Sequence, residues 1–128
     1  FNYIINNSYK IILQKSNIIN DMIIKQVDSI DTDGNNVCRL NSNNIKLPLY
    51  IRNKQNGDYI EVKGLNGKKK VKDIFINSKI PKDKRNNYPL LVDSNDNILW
   101  IPNIKKSKYN VKKSDFCDII LTSHKEGE

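Results

Sequence analysis

A β-rich α+β domain with one or two short helices is the fold class that the sequence predicts, and three observations carry it. Short runs of β-branched residues recur along the chain, separated by Asn, Asp, Gly and Ser. One stretch, residues 71–78, shows a clear helical period. The length of 128 residues fits one domain with a modest core.

The elements follow in order. Tyr9–Leu13 and Met22–Val27 read as strands, because β-branched side chains suit a pleated surface, with a turn at Ser16-Asn17. Residues 31–35 (Asp-Thr-Asp-Gly-Asn) form a turn before a short strand at Val37–Leu40. Residues 42–44 read as loop. Leu47–Arg52 is the next strand, with Pro48 marking an edge or a strand start. Residues 53–70 read as loop, strand (Tyr59–Val62) and loop, and hold three of the five glycines. Val71, Ile74, Phe75 and Ser78 then fall at i, i+3, i+4 and i+7, which predicts a helix. Pro81 opens a second helical turn over Lys82–Asn87, as proline suits a first helical position. Pro89–Asp93 and Ile98–Ile101 are strands joined by a turn at residues 94–97. A last strand is expected at Phe116–Leu121, followed by a frayed tail, Ser123–Glu128.

Asparagine, isoleucine and lysine are abundant and alanine is absent, a bias expected of an A/T-rich gene that says nothing about fold. The chain begins at Phe1 and its one methionine is Met22, so it reads as an excised domain with sequence upstream. Cys38 and Cys117 form no CxxC, and the default is two buried thiols in a reduced, cytoplasmic protein. His124 is the one histidine and cannot build a metal site alone, so no metal is expected here. No apolar run approaches the roughly 18–20 residues that a membrane span needs.

Charge is the more informative property. Net charge is +8, and residues 46–85 hold twelve cationic and four acidic side chains, so the excess is local. A local excess is the footprint expected for a polyanion partner; the alternative is a solvated lysine-rich surface. Within this segment a glycine-rich loop with Gly57, Gly64 and Gly67 leads to Lys68-Lys69-Lys70 and the start of the helix. Helix N-termini present unpaired N–H groups and attract phosphate, and glycine lets the backbone come close. Lysines at a helix start oppose the macrodipole, so placing Lys68, Lys69, Lys70 and Lys72 there suggests an anion in the working state. A nucleotide P-loop does not fit: its first glycine would fall at Val62, and Lys69 stands at the Ser/Thr position.

The run from Arg52 to Pro102 resembles the C-terminal domain of tRNA(Ile)-lysidine synthases. The anchors, in fixed order, are Arg52, Gly57-Asp58, Gly64, Gly67, Lys69-Lys70-Val71-Lys72-Asp73-Ile74-Phe75, Lys79-Ile80-Pro81, Arg85, Pro89 and Ile98-Leu99-Trp100-Ile101-Pro102. Residues 1–51 agree only as β-rich sequence of suitable length. Three positions depart from the pattern. Lys54 and Tyr59 stand where the family has arginine, which removes two guanidinium forks, and Asn103 replaces a glycine in a position that asparagine tolerates.

The resemblance implies a fold like that of a domain of the phenylalanyl-tRNA synthetase β chain. It implies that 1–128 is one C-terminal tRNA-binding domain, with a β-rich first part (1–51) and a motif-bearing part (52–102). The partner implied is a minor isoleucine tRNA, gripped at its acceptor stem. In the parent enzyme, a carbon–nitrogen ligase, a separate N-terminal domain would use ATP and magnesium to adenylate the wobble cytidine. Lysine would then displace AMP to give lysidine. The S-G-G-x-D-S motif of that domain has no counterpart in these residues, so this chain is expected to be non-catalytic and to hold no cofactor. The expected RNA contacts are Arg52, Lys54, Lys68, Lys69, Lys70, Lys72, Lys79 and Arg85. Gly57, Asp58, Gly64 and Gly67 are expected to shape the loops, and Asn53, Gln55, Asn56 and Asn66 to offer polar contacts in a shallow groove. Ile74 and Phe75 read as core. Trp100 sits between Leu99 and Ile101 in a strand, which favours packing over base stacking. The missing catalytic domain is a second expected partner, and a homodimer of the parent a third. Two other readings stay open: an interdomain docking module, and a general RNA- or phosphate-binding domain.

Overall fold

The computed structural model describes residues 11–13, 22–64 and 67–125. The strands are β1 (Ile11–Leu13), β2 (Met22–Val27), β3 (Val37–Leu40), β4 (Leu49–Arg52), β5 (Tyr59–Glu61), β6 (Lys68–Lys70), β7 (Leu90–Val92), β8 (Ile98–Ile101), β9 (Lys105–Lys106) and β10 (Ile119–Lys125). The helices are α1 (Val71–Asn77) and α2 (Lys82–Arg85), and a short 3-10 turn covers Ser42–Asn44. Residues 9–10, the turn at Ser16-Asn17, Asn66 and residues 126–128 lie outside the described residues.

Among the described residues, three sheets build the domain. The central one has the order β1-β4-β7-β8-β9, with β1 parallel to β4 and the other pairs antiparallel. A second sheet is β2-β10-β3, antiparallel throughout. The third is the β5–β6 hairpin. The central sheet is covered on both faces, which explains its unbroken apolar runs. Leu49, Ile51 and Leu91 pack with Cys38, Leu40, Ile119 and Leu121 of the second sheet. Leu90, Val92, Ile98 and Ile101 pack with Ile60 of the hairpin and with Val71, Ile74 and Phe75 of α1.

Helix α1 buries the face its period predicts, Val71, Ile74 and Phe75, and leaves Lys72, Asp73 and Ile76 exposed. Phe75 meets Tyr88 at a ring separation of 5.4 Å, and the Tyr88 hydroxyl donates to the Pro102 carbonyl at 2.6 Å. Trp100 is wholly buried and its indole N–H donates to the Asn35 carbonyl at 2.9 Å, so it has no face free for a base. Pro48 precedes β4, which lies inside the central sheet. The turn after β7 is organised by Asp93. Its buried carboxylate accepts from the backbone N–H groups of Asn95, Asn97 and Lys46 and from the Asn97 amide.

Four sequence expectations change. Lys68–Lys70 is a strand, because β5 supplies its hydrogen-bonding partner. The second helix stops at Arg85. The last strand starts at Ile119 and runs to Lys125, where Ser123 is buried and its hydroxyl donates to the Asn103 side chain at 2.7 Å. Phe116 lies outside it, exposed. The two cysteines differ: Cys38 is fully buried, which pushes its thiol far above the ordinary range, whereas Cys117 is partly exposed. An Ellman titration is therefore expected to find one reactive thiol in the native protein and a second only after denaturation.

Among the described residues, no helix is long and apolar enough to cross a membrane.

Candidate nucleic-acid interface

The cationic segment is built on one tight turn. Asp58 closes it twice: its N–H donates to the Gln55 carbonyl at 3.2 Å, and its Oδ2 accepts from the Gln55 N–H at 2.8 Å. Gly57 has φ of 84°, a region that strains any residue with a Cβ. Arg52, at the end of β4, locks this turn. Its Nη1 and Nη2 reach the two Asp58 oxygens at 2.8 and 3.1 Å, Nη1 also donates to the Asn53 carbonyl, and Nε reaches Asp96 at 3.0 Å. Both Arg52 and Asp58 are 11% exposed. Burial alone would depress the guanidinium pKa, but the hydrogen bonds and charges of Asp58 and Asp96 carry it above its ordinary value. Arg52 is thus occupied inside the fold, contrary to the expectation that it contacts phosphate; it holds the turn in place.

From the turn the chain runs through β5, doubles back and returns as β6. The Val62 N–H donates to the Gly67 carbonyl, and a Cβ at Gly67 would come within 3.2 Å of the Val62 oxygen, tighter than most side chains accept. Gly64, nearby, has φ of 114°. Lys68, Lys69 and Lys70 are all exposed on β6, paired with Glu61, Ile60 and Tyr59 respectively. The Lys68 ammonium sits 4.7 Å from the centre of the Tyr59 ring.

Strand β6 passes straight into α1 with no intervening loop. The triplet thus precedes the helix, as the sequence suggested, but as a strand and not as loop. Lys70 is the N-cap residue and makes no side-chain cap, and the Val71 N–H donates to the Asp58 carbonyl at 3.0 Å. That donor is already satisfied, so the cationic side chains rather than the helix end define the face. Lys54, Lys70 and Lys72 come together around a depression of about 240 Å³ whose floor is the 55–58 turn. Cations gathered around one depression repel each other in the free fold, and a bound polyanion relieves that repulsion.

Lys79 and Arg85 lie apart from this depression. Lys79 follows α1 at its far end, roughly 10 Å along the axis from Lys72 by helical rise. There it occupies the left-handed position of a Schellman motif, with φ of 58°. Its N–H donates to the Ile76 carbonyl, and the Ile80 N–H to the Phe75 carbonyl, both at 3.0 Å. Glycine normally takes this place, so a Lys79→Gly variant is expected to gain about 0.5 kcal/mol and to melt roughly 2 °C higher by circular dichroism. Arg85 uses its Nε on the Ile80 carbonyl at 2.9 Å, which fixes the connection between the helices. Gln55 and Asn56 belong to the turn itself, Asn53 leads into it from β4, and Asn66 lies outside the described residues.

Sequence reasoning passed over three residues beside this face. Tyr59 was noted only as a departure from a pattern, yet the residue is 44% exposed. Tyr109 lines a neighbouring cavity together with Tyr59, and Lys108, next to it in the chain, pairs with Glu61 of that cavity at 2.9 Å. Their only signal in the sequence is an isolated Lys-Tyr pair in a polar loop.

The chain as a whole is similar to proteins already known. Residues 49–119 match the family model described as the TilS substrate C-terminal domain. The tRNA(Ile)-lysidine synthase of Bacillus licheniformis is 41% identical over 95 residues, covering 74% of this chain and 20% of that protein. The Bacillus subtilis tRNA(Ile)-lysidine synthase is 40% identical over 101 residues, 79% of this chain and 21% of that protein. A bifunctional TilS/HprT protein of Listeria innocua is 47% identical over 81 residues, 63% of this chain and 12% of that protein. The chain thus spans about a fifth or less of the length of these relatives. A crystal structure of a TILS C-terminal domain superposes with a TM-score of 0.73 at 30% identity, over 84% of this chain and 85% of that one. A fragment of the phenylalanyl-tRNA synthetase β-subunit from Pyrococcus horikoshii shares the fold, with a TM-score of 0.51 at 22% identity over 68% of this chain and 27% of that one.

Proposed function

Because this chain belongs to the TilS substrate C-terminal domain family, we propose that it binds the acceptor stem of a tRNA, far from the anticodon where a lysidine synthase acts. The observation that carries this reading is the convergence of Lys54, Lys70 and Lys72 on one depression, flanked by the exposed Lys68 and Lys69 of β6. These five ammonium groups form a surface suited to phosphates of an A-form helix, whose grooves are recognised through backbone, shape and 2′-hydroxyls. Lys79 extends the surface along α1. Arg85 adds charge at its margin.

In the parent enzyme this domain anchors a minor isoleucine tRNA while a separate catalytic domain, using ATP and magnesium, converts the wobble cytidine to lysidine. The activity belongs to a tRNA-modifying ligase of the cytoplasm; the residues of this chain bind and orient. Linking two binding sites on one tRNA raises the overall affinity well above that of either alone.

The test is binding of the chain to acceptor-stem minihelices from isoleucine and methionine tRNAs across a salt series. RNA contact through the lysines predicts a log–log slope of roughly −0.7 to −0.9 for each phosphate neutralised. Preference for the isoleucine stem supports recognition of the minor tRNA by this domain. Equal binding to both stems assigns the choice of tRNA to the rest of the parent enzyme. No binding to either RNA sinks the proposal, and favours a lysine face that docks on an acidic surface of the catalytic domain.

A further inference from the structure

We infer that the cavity behind the Gly57–Asp58 turn receives an unpaired nucleobase of the bound RNA, stacked on Tyr59. This rests on the RNA-binding reading above and adds a subsite to it. The cavity encloses about 260 Å³, and both Tyr59 and Tyr109 line it, with Ile98 as an apolar wall. Each ring carries its own cation: Lys68 lies 4.7 Å from the centre of Tyr59, and Lys108 lies 5.3 Å from the centre of Tyr109. Aromatic rings with adjoining ammonium groups are what a single-stranded segment needs, since the ring stacks on the base and the cation meets its phosphate.

Charge does not oppose this. The carboxylates of Asp58, Glu61 and Asp96 line the same cavity, but each is held in an ion pair, the first and last with Arg52 and the second with Lys108. Arg52 is shared by two of them, so three carboxylates face two cations and the wall keeps one net negative charge, which a neutral base tolerates and which leaves its phosphate to Lys68 and the lysines beyond. Continuity is the other support. Gly57 and Asp58 line this cavity and also the lysine depression, so one thin turn separates the phosphate-binding face from the tyrosine pair. A strand whose duplex part lies along the lysines needs only to cross that turn to deliver a base. Bases inside a duplex are already stacked, so the occupant has to come from an unpaired segment, as at the single-stranded 3′ end of an acceptor stem.

Tyr59 has no competing packing role that its loss would expose. It lies in a hairpin whose buried anchor is Ile60, and the residue is 44% exposed. This makes Tyr59→Ala a usable variant, with Tyr59→Phe as the conservative partner that keeps the ring.

The experiment uses two minihelices, one blunt and one with a short 3′ overhang carrying a fluorescent adenine analogue at its last position. The wild-type chain is expected to bind the overhang RNA more tightly and to quench the analogue. Tyr59→Ala should lower the overhang affinity roughly 10-fold, to the level of the blunt stem, and abolish the quench. Tyr59→Phe should retain both, and blunt-stem affinity should stay constant across all three proteins. Equal wild-type affinity for the two RNAs overturns the subsite, as does a Tyr59→Ala variant that still quenches or that loses blunt and overhang binding alike. Each of those results leaves the lysine face standing. Loss of both RNAs in the wild type would instead remove the RNA reading itself, and the subsite with it.

Discussion

Changing Lys54, Lys70 and Lys72 together to alanine is expected to weaken binding of an acceptor-stem minihelix on the order of 30-fold at moderate salt, and to flatten the log–log salt slope by about two units. The reasoning is additive. Each lysine on the depression neutralises one phosphate and releases its condensed counterions, so three removals subtract three contributions to the slope. Stability should hold or rise, because Lys70 and Lys72 are exposed, Lys54 is only half-buried, and the three repel one another. A thermal melt therefore separates this result from unfolding. A slope unchanged by the triple substitution would move the contact away from the depression. As a control, alanine at Lys112 and Lys113, exposed in the loop before β10, should leave RNA affinity within experimental error.

Replacing Arg52 with alanine is expected to cost about 2–3 kcal/mol, since it strands the poorly exposed Asp58 carboxylate without its fork. For a chain of this size that corresponds to a fall of roughly 10 °C in melting temperature. Asp96→Asn should cost well under about 1 kcal/mol, because Asp96 is 63% exposed and its pairing is screened by water. Asp58→Asn should fall between, losing the charge while an amide oxygen remains to accept from the Gln55 N–H. Denaturant melts of the three variants give the order. If Arg52→Ala lowered RNA affinity with no change in the melt, the guanidinium would be a phosphate contact after all and its role in holding the turn would be wrong.

The sequence announced some of this and hid the rest, for physical reasons. Met22–Val27, Val37–Leu40 and Ile98–Ile101 were readable at their observed bounds, because dense β-branched and apolar residues leave little choice of conformation. Helix α1 was readable from Val71, Ile74 and Phe75, which share one face. Strand β6 was not. Three consecutive lysines carry no alternation, and what makes them a strand is the register with Tyr59, Ile60 and Glu61 on β5. The end of β10 was missed because Thr122, Ser123 and His124 look like a polar tail, whereas β10 lies between β2 and β3 and has backbone partners on both sides. At the site, the lysines were legible as a charge excess, but their division was not. Lys54 meets Lys70 and Lys72 only once the hairpin folds back, and Arg52 is withdrawn by the fork it makes with Asp58, helped by Asp96, a residue remote in sequence. The tyrosine pair was invisible for the same reason, since Tyr59 and Tyr109 become neighbours of one cavity only in the fold.

The antiparallel pairing of β2 with β10 sets Met22 opposite Lys125. A pull applied between those two positions loads this ladder from one end. Its rungs then open one after another, as in a zipper, instead of sharing the load as they would in shear. The fold should thus yield at low force when stretched between those two positions, beginning in the sheet that lies across the core from the lysine hairpin. Tension applied there would strip that far layer first, leaving β5, β6 and α1 packed on the central sheet.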